Sequence, residues 1–300
     1  MSDQKSFRCG YVAIVGRPNV GKSTLLNRLI GQKISITSRK PQTTRHRILG
    51  IKTVDGAQLV FVDTPGVHRD GKRAINRHMN RTALAAIQDV DAIVFVVDGL
   101  EWTDEDQIVL DALKGVATPV ILALNKVDTL PQKEVLLPYL QQLGEKMKFA
   151  EVFPLSAQKG TNVDVLENKL IELLPESEPI YAEDQVTDRS ERFLAAEFIR
   201  EKLMRSLGQE IPYALTVEIE QFKMDGALRR VAAVIFVERE GQKRIVIGKA
   251  GQGLKEVGRQ AREQMERTFG SKVFLELWVK VREGWSDDER ALRSLGYTDE

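Results

Sequence analysis

The stretch Gly16-Arg17-Pro18-Asn19-Val20-Gly21-Lys22-Ser23 leaves this chain few folds to choose from. It follows an apolar run at 11–15 that reads as a strand, and it runs into 23–30, which reads as a helix capped by Gly31. A Gly-rich loop of this spacing between a strand and a helix is a phosphate cradle. Its glycines let backbone N–H groups turn inward, and the helix N-terminus adds partial positive charge. In such a loop Lys22 reaches the β- and γ-phosphates of a nucleotide and the Ser23 hydroxyl binds Mg²⁺. Gly16, Asn19, Gly21, Lys22, Ser23 and Thr24 are the expected nucleotide contacts.

The residues up to 176 support a mostly parallel α/β sheet around that loop. Segments 49–54 and 58–62 flank Asp55-Gly56, a hairpin turn, which puts one antiparallel strand at the edge. Segments 92–97 and 120–124 read as buried central strands, and 151–155 as the last strand. Thr103 and Asp106 form a capping box, and Asn162 opens a helix with Val163, Leu166, Leu170 and Leu173 on one face, ended by Pro175.

Three further motifs fall at strand ends, where open α/β sheets bind ligands. Asp63-Thr64-Pro65-Gly66 offers a carboxylate for the Mg²⁺ shell and a Gly66 N–H for the γ-phosphate. Asn125-Lys126-Val127-Asp128 offers a carboxylate at Asp128 that accepts the N1–H and N2–H₂ pair of guanine, a pair adenine lacks. This points to GTP over ATP. Ser156-Ala157 stands where backbone N–H groups buttress the base. Between 35 and 47 the chain is polar and basic and reads as a mobile loop, with Thr44 the first choice and Thr43 the second for a hydroxyl on Mg²⁺.

With 300 residues the chain has room for two domains. Residues 175–190 turn rich in Pro, Glu, Asp and Ser and lose periodicity, which places a linker at 177–190 between a domain at 1–176 and another at 191–300. The second part reads as helix (192–206), two strands (213–222 and 230–240), a short helical stretch, a Gly-rich turn, a helix (254–269) and a strand (272–281), an α+β order. Gly248-Lys249-Ala250-Gly251 would let the backbone approach a sugar-phosphate chain. Lys255, Arg259 and Arg262 form a basic stripe on the following helix, and Leu254, Val257, Ala261 and Met265 an apolar one. The net charge of +1 hides an uneven distribution: residues 189–282 carry about +6 and the tail from 283 about −4. Trp278 and Trp285 offer rings for base stacking, with Trp278 expected to pack in the sheet instead. One cysteine, Cys9, excludes an internal disulfide, the apolar runs are too short to span a bilayer, and 1–9 has no signal-peptide core. The chain reads as cytoplasmic.

Taken in order, 16–23, Gln42-Thr43-Thr44-Arg45, 63–66, 125–128 and Ser156-Ala157 resemble the five motifs of translation-factor-related GTPases, and the whole chain resembles the bacterial Era family. The resemblance implies a P-loop GTPase domain followed by a KH-type RNA-binding domain. It implies GTP hydrolysis to GDP with Lys22, Asn19, Thr44 and Gly66 at the reacting end, and Mg²⁺ held by Ser23, Thr44 and Asp63. It further implies RNA contact through Gly248, Lys249, Ala250, Gly251, Lys255, Arg259 and Arg262. The RNA would lie near the 3′ end of small-subunit ribosomal RNA and the task would be assembly of the small ribosomal subunit, by a monomer. Peripheral contact with the inner face of the cell membrane stays open as an alternative. Where many small GTPases carry a water-orienting glutamine after Gly66, this chain has Val67, followed by His68, a switch-loop residue more than a base. Asn19 stands where similar GTPases help hold K⁺; a loop-shaping role is the other reading. The missing glutamine also leaves a nucleotide-binding adaptor with little turnover to be considered.

Overall fold

A computed structural model describes residues 7–67, 73–99, 101–130, 134–208, 214–295 and 297. They fall into two compact units. The first takes the described residues within Met1–Ser35, Thr44–Gly71 and Asn76–Asp188. The second takes those within Ile36–Thr43, Lys72–Ile75 and Arg189–Glu300.

The first unit is built on a six-stranded sheet from β1 (Arg8–Val15), β2 (Ile48–Val54), β3 (Ala57–Asp63), β4 (Ala92–Asp98), β5 (Val120–Asn125) and β6 (Glu151–Pro154), in the order β2-β3-β1-β4-β5-β6. Only β2 is antiparallel, joined to β3 by the expected Asp55-Gly56 hairpin, with Gly56 at φ 74°. The parallel strands β1, β4 and β5 are buried along most of their length, which is why they read as apolar runs. α1 (Lys22–Ile30) buries Leu25, Leu26 and Leu29 and comes so close to β2 at Gly50 that a Cβ there would sit 2.7 Å from Leu26 Cδ1. Each such leucine stabilises the unit by about 1.5–3 kcal/mol. α3 (Asp104–Leu113) opens with the Thr103–Asp106 capping box, and α5 (Val163–Leu173) closes the unit. Asn162 precedes α5 at φ 57°, but its side chain donates to Pro154 O (2.7 Å) and makes no cap bond. Two helices, α2 (Ala74–Ala85) and α4 (Leu136–Gly144), were not expected from the sequence. Both have interrupted apolar patterns, and α2 carries Asn76 and His78 in buried positions.

The stretch expected to be a linker is bonded to the first unit as far as Asp188. Ser177 N–H donates to Phe7 O (3.0 Å), Ile51 N–H to Val186 O (2.9 Å) and Leu49 N–H to Asp188 Oδ1 (3.1 Å). The buried amide of Gln58 is the fastener. Its Oε1 accepts the Ile180 and Tyr181 N–H groups, each at 2.9 Å, and its Nε2 donates to Tyr181 O (2.9 Å). The edge of β2 is thereby covered, as an exposed sheet edge needs to be.

The second unit opens with α6 (Glu191–Ser206), capped by Ser190. Its sheet is β7 (Leu215–Asp225), β8 (Leu228–Val237) and β9 (Lys272–Val281) in that order, with β7/β8 antiparallel and β8/β9 parallel. Between β8 and β9 lie α7 (Glu240–Ile247) and α8 (Gln252–Phe269). Val257, Ala261 and Met265 of α8 join Leu194, Phe198 and Ile199 of α6 and Val231, Ala233 and Ile235 of β8 in one core. The tail also folds: Trp285 is fully buried and stacked on Tyr297 (centroids 6.3 Å apart), and Asp288 caps α9 (Glu289–Ser294). The two tryptophans thus exchange their expected places. Trp285 is in the core and unable to stack on bases, whereas Trp278 is 44% exposed. Alternation along β9 decides this, since Val273 and Val279 face the helices and even-numbered Trp278 faces away. No helix among the described residues is long and apolar enough to cross a membrane.

Gln58→Ala removes a fastener that satisfies three backbone groups of the strap. We expect a loss of about 1–3 kcal/mol and faster proteolytic cleavage within 177–188, read by thermal melting and limited proteolysis.

Candidate functional site

The C-terminal ends of β1, β3, β5 and β6 bring the sequence motifs together. Gly21 starts α1 at φ 104°, and a Cβ there would fall 2.2 Å from Asn125 Nδ2, so only glycine lets the phosphate loop meet the end of β5. Lys22 is buried and curls over its own loop, donating to Gly16 O and Arg17 O, each at 2.9 Å. Burial pulls its ammonium down to about 8, with Asp63 opposing. Gly66 approaches Pro18 so closely that a Cβ would sit 2.7 Å from the Pro18 nitrogen. Val67, in the place of the missing glutamine, is a buried core residue 4% exposed, while His68 lies outside the described residues.

Asp63 is fully buried at the end of β3. Its Oδ2 accepts from Ser23 Oγ (2.8 Å) and Ser35 Oγ (2.9 Å), and Ser23 Oγ lies 2.7 Å from Thr44 Oγ1. Its Oδ1 is buried with no hydrogen-bond partner. Burial raises the carboxyl above its usual range, against Lys22 and the two serine hydroxyls. Four oxygen-bearing side chains converge, and one buried carboxylate oxygen is left over. That donor set suits a hard divalent cation. Thr43, the second choice, turns its hydroxyl away to Lys40 O (2.6 Å) and Ser38 Oγ (2.7 Å). Ser35 is a member the sequence did not reveal, since nothing in its polar loop marks it.

At the base end, Asn125 bridges two loops: its Nδ2 donates to Val20 O (2.7 Å) and its Oδ1 accepts from Ala157 N–H (2.9 Å). Lys126, at φ 64°, donates to Asn19 O and to Asp98 Oδ2, both at 2.7 Å. Asn19 itself has φ 65°, and its side-chain amide makes no hydrogen bond among the described residues. Asp128 is exposed in the turn Val127–Thr129. Ser156 Oγ accepts from Lys159 N–H (3.0 Å), shaping the turn that presents Ala157. A hollow of about 400 Å³ between Thr24, Arg28, Ala157 and Gln158 adjoins this end. Arg28, also unforeseen, donates to Ala157 O (3.2 Å) and Gln158 O.

In the second unit Gly248 (φ 73°) ends α7, and a Cβ on it would lie 2.9 Å from Gly253 N. Lys249 and Ala250 are exposed on the turn Lys249–Gly251, and Gly251 starts α8. Lys255, Arg259 and Arg262 are exposed along α8 as expected, but Arg259 is paired with Glu256 and Glu263, both at 2.6 Å, so the stripe is less basic than its spacing implies. A groove of about 870 Å³ runs between α8 and β9, lined by Gly251, Leu254, Lys255, Arg262, Leu275 and Leu277. Leu254 is half-buried there, bordering the groove rather than sealing the core.

Comparison with known proteins agrees with both units. Residues 11–126 match the family described as 50S ribosome-binding GTPase, and residues 210–286 match the KH domain family. The chain is 62% identical over 292 residues to GTPase Era of Pseudomonas aeruginosa (strain LESB58), covering 97% of this chain and 96% of that one. It is 60% identical over 299 residues to GTPase Era of Ectopseudomonas mendocina (strain ymp), covering all of both. Among solved structures, Era in complex with MgGDPNP and nucleotides 1506–1542 of 16S ribosomal RNA superposes with TM-score 0.94 at 40% identity, over 97% of this chain and 99% of that one. An Aquifex aeolicus Era variant bound to GDP·AlF4⁻ gives the same TM-score and identity, over 97% of this chain and all of that one. On sequence, fold and site together, this chain belongs to the Era family of GTPases.

Proposed function

We propose that the first unit binds GTP with Mg²⁺ and hydrolyses it to GDP and phosphate, and that this cycle is coupled to binding of small-subunit ribosomal RNA near its 3′ end by the second unit, in assembly of the small ribosomal subunit. The observation that carries the nucleotide half is the buried oxygen cluster of Asp63, Ser23 and Thr44 beside the phosphate loop. Ser23, Thr44 and Asp63 would hold the cation, which neutralises charge on the phosphates when bound. Gly16, Gly21 and Thr24 present backbone N–H groups to the phosphates, and Gly66 presents its N–H to the γ-phosphate. Lys22 exchanges its two loop carbonyls for phosphate oxygens, whose charge favours its protonated form.

Asp128 accepts the guanine edge from its exposed turn. Asn125 and Lys126 fasten that turn to the phosphate loop, while the N–H groups around Ser156 and Ala157 support the base. Val67 supplies no polar group for water, so charge stabilisation falls to bound cations, with Asn19 and its unengaged amide the residue to hold K⁺. The RNA half is supported by the Gly248-to-Gly251 turn, the adjoining groove and the complex of a 40% identical Era with a 16S ribosomal RNA fragment.

Asp128→Asn exchanges an acceptor-only carboxylate for an amide that also donates. Affinity for GTP should fall at least about 100-fold while xanthosine triphosphate, with a carbonyl at C2, gains, as nucleotide titration will show. GTP hydrolysis should run faster in K⁺ than in Na⁺, Asn19→Ala should remove the difference, and a single-stranded RNA from the 3′ end of small-subunit ribosomal RNA should stimulate it. Gly248→Asp, strained at φ 73°, should abolish only the stimulation. Turnover indifferent to RNA in the parent protein would overturn the coupling.

A further inference from the structure

The eight residues Ile36–Thr43 lie in sequence between two members of the Asp63 cluster, yet they pack as part of the second unit. Ile36 is 1% exposed within the core shared by α6, β7 and β8. Thr37 N–H donates to Glu201 Oε1 (3.0 Å), and Thr37 O accepts from Arg205 Nη2 (2.9 Å). Lys40 Nζ reaches the carbonyls of Leu207 and Gly208 at the end of α6, the latter at 3.0 Å. Arg200, 2% exposed, is held by both oxygens of Glu197 (2.7 and 2.6 Å) and turns its remaining donors to the carbonyls of Gln42 (3.4 Å) and Thr43. The residues on either side of the segment are Ser35, whose hydroxyl bonds Asp63, and Thr44, whose hydroxyl meets Ser23.

We propose that Ile36–Thr43 is a tether through which α6 controls presentation of the Thr44 hydroxyl to the cation, with Arg200 the positioning residue. The inference rests on reading Ser23, Thr44 and Asp63 as the cation site. One peptide bond separates the carbonyl that Arg200 grips from Thr44, so loosening that grip frees the backbone of the residue that must reach the cation. The segment has no regular secondary structure of its own, so these contacts supply its order. Because the γ-phosphate brings the threonine loop into play and GDP does not, the tether acts on GTP selectively. By linkage, whatever ligand reorders α6 shifts the preference for GTP over GDP, and the reverse.

The test titrates the full-length protein with a fluorescent non-hydrolysable GTP analogue and with GDP at varied Mg²⁺, for the parent, Arg200→Lys, Arg205→Ala and Ser23→Ala. Lysine cannot hold Glu197 and both carbonyls at once. Arg205 is 48% exposed, so its replacement is informative even where Arg200→Lys melts early. We expect both arginine variants to lower affinity for the analogue about five- to tenfold, to raise its Mg²⁺ requirement, and to leave GDP affinity within about twofold of the parent. A merely structural role would weaken both nucleotides alike. If both arginine variants keep the parental ratio of analogue to GDP affinity while Ser23→Ala loses the Mg²⁺ dependence, the tether is overturned and the cation site stands. If Ser23→Ala retains that dependence, the cation-site reading fails and the tether with it.

Discussion

A carboxylate removed from water must be answered by protons or by a cation, and at the end of β3 Asp63 is answered only in part. Two serine hydroxyls satisfy one oxygen, and the other is buried without a hydrogen-bond partner. The arrangement depends on long-range features of the first unit. β3 lies beside β1, so Asp63 pairs with Ile14 and emerges next to the phosphate loop. The hairpin fixes the register of that strand, and α1 sits close enough at Gly50 to place Ser23 over the carboxylate. In the proposed cation site, burial that would otherwise destabilise the unit becomes an affinity for a divalent ion, because the unsatisfied oxygen regains on binding what it lost on folding.

The end of the site at β5 and β6 follows the same logic with neutral groups. Asn125 uses both ends of its amide, one on the phosphate loop and one on the loop presenting Ala157, so three strand ends are held by a single side chain. Lys126 adds a charge-assisted bond to Asp98 and a second tie to the phosphate loop. These contacts pre-shape the site at a cost in positive φ at Asn19 and Lys126, strain of a kind that surrounding bonds sustain at binding sites.

In the second unit the polar contacts do different work. α6 buries Glu197, Arg200 and Glu201 on a helix whose other faces meet an apolar core. Charges in such a place stabilise little by themselves. The partner here is the backbone of Ile36–Thr43, which has no apolar pattern to hold it beyond Ile36. The groove between α8 and β9 combines apolar walls with Lys255 and Arg262 at its rim.

The sequence by itself determined the parts whose information is local. Glycines at 16, 21, 56 and 248 mark turns because few other residues accept those backbone angles. Unbroken apolar runs mark the central strands, and the capping box at Thr103 marks the start of α3. Motif spacing likewise singled out the residues that gather at the strand ends, since each motif is one strand end and one loop. Only the tertiary structure decided that Ser35 joins Asp63, that Gln58 fastens 177–188, that Trp285 is core while Trp278 faces solvent, and that Ile36–Thr43 belongs with α6. Each of these is a contact between residues far apart in the chain, made by one polar or aromatic side chain. Such a contact leaves no periodicity behind, because its partner is fixed by where the strands and helices bring it and not by what stands beside it in sequence.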